Sequence, residues 1–514
     1  MILDAPSDRA RDDPAVRTTL DDLFRRTLAR RPDALALIDP PDRATVTDGV
    51  ARALTYAQAD RAISALADRL RGFGLPADAV VALQLPNTVE SVIALLGVLR
   101  AGMIAAPLPL LWRQADAAAA LGRIGARALI GCRAIGEVDY GELLTQLAAE
   151  TFTIRFVGAF GDSLPDGVVP LDDTFAASAA ETPALDREEA ADHLAVVTFD
   201  VAADGIVPVA RSHAELIAGG LAVHLEARFE TGATLIGALA LSSFAGMATT
   251  IVPWLLSGGT LCLHHPFAPK TFAAQRAQMP RAVTVLPGPL VARLADAGLI
   301  GGADDGGTVL AVWRAPERLA GAASWPGAAA LIDVAVFGEV GLIAAARAAG
   351  LPAALPGGHL TVPRGAPDGI HVLDAARSAA GTLMLSGPMV PRAAFPPGIE
   401  RHAAGPRFAD GGIDTLYPCR IDRDTKRLTV DGPPAGLVSV GGYRFALRAL
   451  QDLVEGIGDG GTLAALPDLL AGHRLAGAGA DRNAICDALA AQGANPLLVA
   501  AFRARRPGDR ASAA

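Results

Sequence analysis

The sequence predicts an α/β protein in which residues 1–432 form mostly parallel sheets covered by helices. Short apolar runs of strand length alternate with helical apolar patterns, as is typical of parallel sheets buried on both faces. With 514 residues the chain is too long for a single hydrophobic core, so more than one domain is expected. After about Gly381 the pattern becomes β-rich, and the stiff pair Pro433–Pro434 precedes the last segment.

The alternation of helix and strand begins near Leu54. Apolar residues recur at helical spacing over residues 57–73, and Gly74 ends that helix. A buried strand is predicted over 80–85, a helix over 91–101 and a second strand over 102–108. Further strands of the same kind are predicted over 126–130, 195–199, 234–240, 260–263, 283–286, 309–312 and 332–337.

The last part of the chain predicts a small α+β domain. Strands are expected over 382–386 and 427–430, and the domain boundary is placed at Gly432–Pro433, which gives domains of residues 1–432 and 433–514. A strand over 437–440 and helices over 444–455 and 482–492 follow. Because proline restricts its own φ angle and the residue before it, Pro433–Pro434 predicts a stiff hinge and one orientation of the small domain.

Composition and charge exclude several classes of protein. A net charge of −9 leaves no basic surface for nucleic acid. The four cysteines stand singly, which predicts buried reduced thiols rather than a metal site. The first twenty residues lack the apolar core of a secretory signal, so a cytoplasmic protein is expected. Charged residues, Pro or Gly interrupt both long apolar stretches, so no membrane span is expected.

Six segments carry a resemblance to a known superfamily, and they run through most of the chain. They are LTYAQAD at Leu54, LRAGMIAAPLP at Leu99, SSFAGMATTIVPWLLSGGTLCLHHPF at Ser242, VAVFGEVG at Val334, GTLMLSGPMV at Gly381 and LVSVGGYRFALRALQDLV at Leu437. In this order and spacing the chain resembles the adenylate-forming acyl-CoA synthetases, adenylation domains and luciferases. The resemblance implies the adenylate-forming enzyme fold, with a shortened carboxy-terminal domain.

The resemblance also shows which catalytic groups have changed. Members of the superfamily hold the ATP phosphates with a Ser/Thr/Gly-rich loop that ends in Pro-Lys-Gly. The aligned segment here reads Asp200, Val201, Ala202, Ala203, Asp204 and Gly205, and the lysine position beyond it is apolar. Only two lysines, Lys270 and Lys426, occur among the 45 Lys and Arg residues. Two carboxylates would repel a polyphosphate at this place.

Other nucleotide-binding motifs of the superfamily are altered as well. The loop on which adenine would lie aligns with Trp313, whose indole replaces a backbone face. The motif Tyr-Gly-x-Thr-Glu aligns with the segment Phe337, Gly338, Glu339, Val340 and Gly341, so that its Thr and Glu are missing. Glu339 could be a displaced replacement for the acid that helps to hold magnesium. The Asp that grips the ribose aligns with Tyr417, which offers a single hydroxyl.

Two residues near the altered loop, His213 and Ser243, are candidates for catalytic groups. His213 is expected to cap or pack at a helix start rather than to act in catalysis. Ser243 stands where relatives have a gating histidine, and a Ser243–His213 nucleophile–base pair is disfavoured because no nucleophile elbow surrounds the serine. The adjacent His264 and His265 point to opposite faces of a strand, which predicts a surface or loop position rather than a metal pair.

What remains of the pocket is predicted to be apolar. Phe244, Trp313, Phe337 and Val340 would line a cleft that suits an acyl chain or an aromatic acid better than a triphosphate. The alternative is that Trp313 itself fills the cleft.

These observations predict an acyl-CoA synthetase-like protein that is catalytically degenerate. We expect a pseudoenzyme that binds a small acyl or aromatic acid or a protein partner, with no catalytic residue, metal site or cofactor assigned. Two alternatives stay open. One is retained activity, either as a divergent AMP-forming acyl-CoA ligase that uses ATP, magnesium and CoA, or as an acyl transferase with a preactivated substrate. The other is a stable fold whose filled pocket binds nothing.

Overall fold

The computed structural model describes residues 18–47, 49–177, 187–302, 306–363, 368–397, 407–409, 411–458 and 460–503. Residues 1–17, on which the prediction of a missing secretory signal mainly rests, lie outside these ranges. Within them, no helix combines the length and the apolar character that crossing a bilayer requires.

The helices cover the faces of the sheets and form much of the small domain. They are α1 (Leu20–Arg30), α2 (Tyr56–Gly72), α3 (Val89–Arg100), α4 (Gln114–Ile124), α5 (Tyr140–Glu150), α6 (His213–Glu226), α7 (Phe244–Gly246), α8 (Val252–Ser257), α9 (Pro269–Gln278), α10 (Gly288–Asp296), α11 (Leu447–Ile457), α12 (Arg482–Ala491) and α13 (Pro496–Phe502). Capping boxes start α2 at Thr55 and α6 at Ser212, where side chain and backbone exchange hydrogen bonds.

The strands fall into four sheets and one short hairpin. They are β1 (Leu35–Ile38), β2 (Ala53–Thr55), β3 (Val80–Gln84), β4 (Ile104–Pro107), β5 (Ala128–Cys132), β6 (Ala134–Ile135), β7 (Val138–Asp139), β8 (Phe156–Phe160), β9 (Val169–Pro170), β10 (Leu194–Ala202), β11 (Gly205–Ser212), β12 (Thr234–Gly237), β13 (Thr260–Leu263), β14 (Val283–Pro287), β15 (Thr308–Trp313), β16 (Ala330–Phe337), β17 (Gly341–Ala346), β18 (Leu355–Pro356), β19 (Gly358–Val362), β20 (Ile370–Arg377), β21 (Thr382–Ser386), β22 (Arg407–Ala409), β23 (Gly412–Ile421), β24 (Arg427–Val430), β25 (Leu437–Val440), β26 (Tyr443–Ala446), β27 (Thr462–Asp468) and β28 (Gly472–Ala478).

Two mostly parallel sheets form the body of the large domain, as the sequence predicts. The first sheet has the order β17-β16-β15-β14-β12-β13-β1-β2, and the second has the order β11-β10-β4-β3-β5-β8-β9. Antiparallel pairs occur at their edges, where β16 pairs with β17 and β10 pairs with β11. Both antiparallel edge hairpins contribute to the site described below.

The helix α3 lies at the centre of the large domain. Each of its residues from Val89 to Arg100 is buried, as expected for a helix that is apolar on all sides. Its amino-terminal end is tied to the first sheet, because the Val89 N–H donates to Asp39 Oδ1 at 2.7 Å. Its carboxy-terminal Arg100 pairs with Asp21 at 2.7 Å and with Asp60 at 2.6 Å.

The β-rich end and the small domain complete the fold. The third sheet is antiparallel, with the order β18-β24-β23-β21-β20-β19 and β22 beside β23. The small domain has an antiparallel sheet, β26-β25-β28-β27, with its own apolar core. A helix was predicted from residue 444, but residues 443–446 form β26 and the helix begins at Leu447. The turn at Gly441–Gly442 folds β26 back onto β25, and this pairing overrides the local helical pattern.

Candidate functional site

The segment aligned with the phosphate loop is a closed hairpin. Strands β10 and β11 pair continuously from Val196 opposite Arg211 to Ala202 opposite Gly205. Ala203 and Asp204 alone form the turn, and both are exposed. A phosphate-binding loop presents several unpaired backbone N–H groups to one anion. The ladder that closes this hairpin leaves no open loop of that kind.

Asp200, on β10, holds the centre of the site. Arg444 Nη1 lies 2.8 Å from Oδ1 and 3.0 Å from Oδ2 of Asp200. The Glu339 N–H also donates to Oδ2, at 3.0 Å. Arg444 Nη2 donates a hydrogen bond to the Tyr417 hydroxyl. The carboxylate aligned with the phosphate loop is therefore neutralised by the protein itself.

All four sheets meet at this point. Asp200 comes from the second sheet, Glu339 from the turn between β16 and β17 of the first, and Tyr417 from β23 of the third. Arg444 comes from β26 of the small domain. With the neighbouring Arg211 and Arg314, we call this set the central cluster: Asp200, Arg211, Arg314, Glu339, Tyr417 and Arg444.

Burial and neighbouring charges together set the pKa values of Arg444 and Tyr417. Burial alone would lower the pKa of Arg444, but the charge of Asp200 holds it above its usual value. Burial raises the pKa of Tyr417 to about 12, although Arg444 opposes the shift. At neutral pH Arg444 is therefore a charged guanidinium and Tyr417 is a neutral phenol.

Gly338 permits this close approach. It follows β16 with φ of 62°, a left-handed conformation that glycine adopts without strain. A methyl group at this position would overlap the Asp200 carboxylate and the Arg444 guanidinium. The absence of a side chain at Gly338 is what lets the ion pair lie directly against the turn.

Glu339 is buried below the turn. Its Oε2 accepts the Phe244 N–H at 2.6 Å, and its Oε1 lies 3.2 Å from Arg314 Nη2. Burial raises the pKa of Glu339, while Arg314 opposes that change. Because Glu339 already binds two protein donors, its carboxylate is engaged in the structure rather than turned towards an open metal position.

Arg211 is a buried guanidinium with unused donors. Its Nη2 donates to the carbonyl oxygens of Glu339 and Val340, the latter at 2.8 Å. Its guanidinium carbon lies 3.8 Å from the centre of the Phe244 ring. Within the described part of the chain, Nε and Nη1 have no hydrogen-bond partner. Burial lowers the pKa of Arg211 to about 10, so it remains charged at neutral pH.

Trp313 is packed where the adenine-side loop aligns. Its Nε1 donates to Asp333 Oδ1 at 2.9 Å, and Arg347 Nε lies 2.8 Å from Oδ2 of the same carboxylate. The indole rests against Gly288, where a methyl group would overlap the ring. The indole is therefore a fixed part of the first sheet's face.

The four residues predicted to line an apolar cleft are all buried. The side chains of Phe244, Phe337 and Val340 are buried, as is that of Trp313. Phe337 packs edge-on against Tyr417, with ring centres 5.6 Å apart.

The other candidate residues hold structural positions. Ser243 Oγ accepts the Gly246 N–H at 3.1 Å and so caps α7. His213, the first residue of α6, is buried, and its Nδ1 accepts the Leu20 N–H at 3.3 Å. Since neither side chain bonds to the other, the disfavoured nucleophile–base pair does not form in this structure.

His264 lies in the loop between β13 and α9, which is one of its two predicted placements, but it is not on the surface. The side chain is buried, with Nδ1 2.7 Å from Gln275 Oε1 and Nε2 accepting the Ala268 N–H at 3.1 Å. Helix α9, which carries Gln275, covers the end of β13 and encloses the imidazole. The four cysteines are free and buried, as predicted.

Three residues of the central cluster, Arg211, Arg314 and Arg444, were not predicted from the sequence. Arg444 lies in a segment that carries the resemblance, two residues after the Gly441–Gly442 turn, yet its partner Asp200 is 244 residues away. Arg211 and Arg314 lie next to the segments aligned with the phosphate loop and the adenine-side loop, where the resemblance draws attention to the missing catalytic groups. Their charge in an otherwise apolar pocket was the available signal.

Comparison with known proteins supports the architecture. Residues 24–303 match the family model described as "AMP-binding enzyme". Among solved structures, the amide bond synthetase McbA from Marinactinospora thermotolerans superposes with a TM-score of 0.68 at 19% identity, covering 93% of this chain and 94% of that one. The MbtA apo structure from Mycobacterium smegmatis gives 0.63 at 19% identity, with 96% and 93% covered. At such identities these likenesses show the fold.

Curated relatives match over shorter stretches. The salicyl-AMP ligase / salicyl-S-ArCP synthetase of Mycobacterium tuberculosis is 32% identical over 151 residues, 29% of this chain and 25% of the relative. The 4-hydroxyphenylalkanoate adenylyltransferase of Mycobacterium marinum is 47% identical over 62 residues, 12% of this chain and 10% of the relative. These matches span a quarter or less of each relative. Since the family model covers more than half of the chain, this protein belongs to the AMP-binding enzyme family.

Proposed function

We propose that this protein is an AMP-binding family member that does not form acyl adenylates and acts by binding an acyl or aromatic acid. The observation that carries the proposal is the ion pair between Asp200 and Arg444, which lies on the segment aligned with the phosphate loop. A triphosphate entering there would have to displace a partly buried carboxylate from its guanidinium. It would also meet that carboxylate's charge at contact distance.

The missing lysines support the same conclusion. Lys270 lies on α9, and Lys426 is exposed in the turn between β23 and β24. Neither belongs to the central cluster. Removal of one preorganised charge that stabilises a transition state costs roughly a hundredfold to a thousandfold in rate. Here the lysine, Thr, Glu and Asp positions of the resemblance have all changed.

Arg211 supports binding of an acid more specifically than binding of a protein partner. Its buried Nε and Nη1 donors have no protein partner among the described residues, and such donors are costly to leave unsatisfied. A carboxylate oxygen is a strong, charge-assisted acceptor for a guanidinium N–H, and either free donor could take one. Phe244, stacked on the guanidinium, would provide an apolar wall beside it. Entry of the acid would require the packed aromatic side chains to move.

A second candidate function is an ATP-dependent acid ligase. It is favoured by the three guanidinium groups of Arg211, Arg314 and Arg444, which outnumber the two carboxylates of the central cluster. If Asp200 released Arg444, these cations could neutralise phosphates in place of lysine. The names of relatives, among them a salicyl-AMP ligase and an anthranilate CoA ligase, suggest aromatic acids as the substrates to test.

Pyrophosphate exchange into ATP separates the two candidates. Purified protein is assayed with salicylate, anthranilate and a fatty acid, in the presence of magnesium. The proposal expects no acid-dependent exchange. It also expects calorimetry to detect binding of an acid without magnesium or ATP, and this binding should be weakened in Arg211→Met.

A matched pair of variants tests whether any observed exchange takes place at this site, which would contradict the proposal. Gly338→Trp fills the centre of the site, whereas Gly167→Trp places the same side chain at an exposed turn glycine, also with positive φ and open space around it. Exchange that requires the acid, and that is lost in Gly338→Trp but kept in Gly167→Trp, would establish the ligase instead.

A further inference from the structure

A cluster of two histidines and one aspartate lies on the third sheet, outside the central cluster. We propose that His359, His371 and Asp374 form a binding site for a divalent transition metal of the zinc class. His359 Nδ1 lies 2.8 Å from Asp374 Oδ1, and His371 Nε2 lies 3.0 Å from Asp374 Oδ2. The candidate ligand atoms all lie within 4.8 Å of one another.

The backbone is shaped so that the three side chains share one face. His359 on β19 stands directly opposite Asp374 on β20. In a regular strand, residues three apart point to opposite faces, which would separate His371 from Asp374. The register shifts here: Leu360 pairs with Leu373 while Thr361 pairs with His371, so Val372 is an extra residue. Such a bulge re-aims neighbouring side chains.

The burial pattern agrees with the bulge. Val372 and Leu373 are consecutive, yet both are buried. The side chains of His371 and Asp374 on either side of them are partly exposed, at 33% and 39%. The bulge therefore turns two apolar residues inwards and brings His371 to the same side of the sheet as Asp374.

The two imidazoles converge on one carboxylate. Their rings are stacked with centres 4.1 Å apart and planes within 14°. Each ring directs one nitrogen towards a different oxygen of Asp374. In the metal-free form these contacts are hydrogen bonds. When the imidazole protons are moved to the opposite nitrogens, the same atoms offer two lone pairs and one carboxylate oxygen to a cation.

Zinc binding would require at least one imidazole to leave the stacked arrangement, because lone pairs in nearly parallel ring planes do not meet at one ion. Zinc takes His nitrogens and carboxylate oxygens at about 2.0–2.1 Å in tetrahedral sites, which places ligand atoms about 3.3 Å apart. The contact between the ligating carboxylate oxygen and its imidazole, now 2.8 or 3.0 Å, would lengthen by roughly 0.3–0.5 Å, and the other imidazole would turn towards the same ion. The His359 side chain is 62% exposed and can make this adjustment. Two imidazoles favour zinc, cobalt or nickel over magnesium or calcium. Water would fill the fourth position.

Metal titration of the full chain tests the site. Untagged protein freed of metal with a chelator is titrated with Zn²⁺ in a calorimeter, and in parallel with Co²⁺ followed by visible absorption. We expect one strong equivalent per chain and no comparable binding of Mg²⁺. His359→Gln, His371→Gln and Asp374→Asn should each weaken the Zn²⁺ affinity about tenfold or more.

A control variant makes the result specific. His193→Gln removes another partly exposed imidazole beside a carboxylate, since His193 Nδ1 lies 4.0 Å from Asp78 Oδ1. It should leave the affinity unchanged. Equal binding by wild type and all three cluster variants, or no binding by folded wild type, would show that the cluster is a hydrogen-bonded triad only. None of these outcomes depends on whether the central cluster binds an acid or ATP.

Discussion

The guanidinium of Arg444 lies 2.8 Å from the carboxylate of Asp200, and this ion pair joins the small domain to the second sheet of the large domain. Both side chains are largely shielded from solvent, at 10% and 17% exposure. The pair also has a second anchor, because Arg444 bonds to Tyr417 on the third sheet. Arg444 of the small domain thus bonds to residues of two different sheets of the large domain.

Removing one partner of this pair should destabilise the fold. In Arg444→Met the carboxylate of Asp200 stays partly buried without its cation, and a loss of about 3 kcal/mol in the free energy of unfolding is expected. The double variant Asp200→Asn, Arg444→Met should recover much of that loss, since no charge remains unpaired. Urea denaturation measures each value. Arg420→Met, which breaks the exposed Arg420–Asp431 pair, is the control and should change little.

Gly338→Ala should be more harmful than an ordinary glycine substitution. It imposes a positive φ on alanine and also forces the methyl group into Asp200 and Arg444. Gly167→Ala carries the conformational strain without the overlap, because φ is 85° and no atom lies within contact distance. We expect a loss of about 1 kcal/mol at Gly167 and about 2 kcal/mol or more at Gly338. If thermal unfolding shows the same loss of stability for both variants, the Asp200–Arg444 pair can move away from the added methyl group without destabilising the fold.

Acidification should destabilise the fold through the buried His213. Burial lowers the pKa of His213 to about 4, against about 6.5 in an unfolded chain. Between these values the unfolded chain binds the proton and the folded chain does not, so stability falls as pH drops from about 6.5 to 4. The loss approaches about 3 kcal/mol at pH 4 and has no counterpart above pH 7.

His213→Asn isolates that contribution. The Asn oxygen can accept the Leu20 N–H in place of Nδ1, but it does not titrate. The difference between wild-type and variant stability should therefore change over this window, even though burial also lowers the pKa of His265 to about 4 and adds its own slope. His473→Asn, in the small domain, serves as the control. A constant difference from pH 7 to pH 4 would contradict the assignment.

The small domain should keep one orientation. Besides Arg444, the Ala115 N–H donates to the Gly493 carbonyl at 3.2 Å, and Arg318 Nη1 donates to the Leu470 carbonyl at 3.2 Å. Spin labels on Phe152→Cys and Leu469→Cys, both exposed positions, should give one narrow distance distribution, since the native cysteines are buried. The Arg444→Met background should broaden it. Two separate distances in the labelled protein with Arg444 intact would disprove the single orientation.

Much of the fold could be predicted because its strands are short apolar runs. The strands over Thr260–Leu263 and Thr382–Ser386 have the predicted bounds. Strands β19 and β20 were not predicted, since His359, Thr361, His371 and Asp374 interrupt the apolar pattern and the bulge at Val372 breaks its period. The start of α11 was placed too early because Ala446, at its N-cap, has no capping side chain to mark it.

The candidate site was only partly predictable. The resemblance identified the segments that contain Asp200, Gly338 and Tyr417 as former nucleotide-binding motifs. The structure brings these three residues together around Arg444. The sequence could not show that the charge of Asp200 would be met from the small domain, because the partners are 244 residues apart. Nor could it show that His264 is buried, since its enclosure depends on where α9 packs.

The buried helix α3 has a consequence for unfolding. Every residue of α3 is buried, so unfolding the elements packed on one side of the helix would expose its apolar side chains to water. The elements that enclose α3 should therefore unfold together. The large domain should melt as one cooperative unit in calorimetry, with equal van't Hoff and calorimetric enthalpies across its transition. The small domain, which has its own apolar core, can melt separately once Arg444 releases it. Limited proteolysis should therefore leave a resistant core that contains α3.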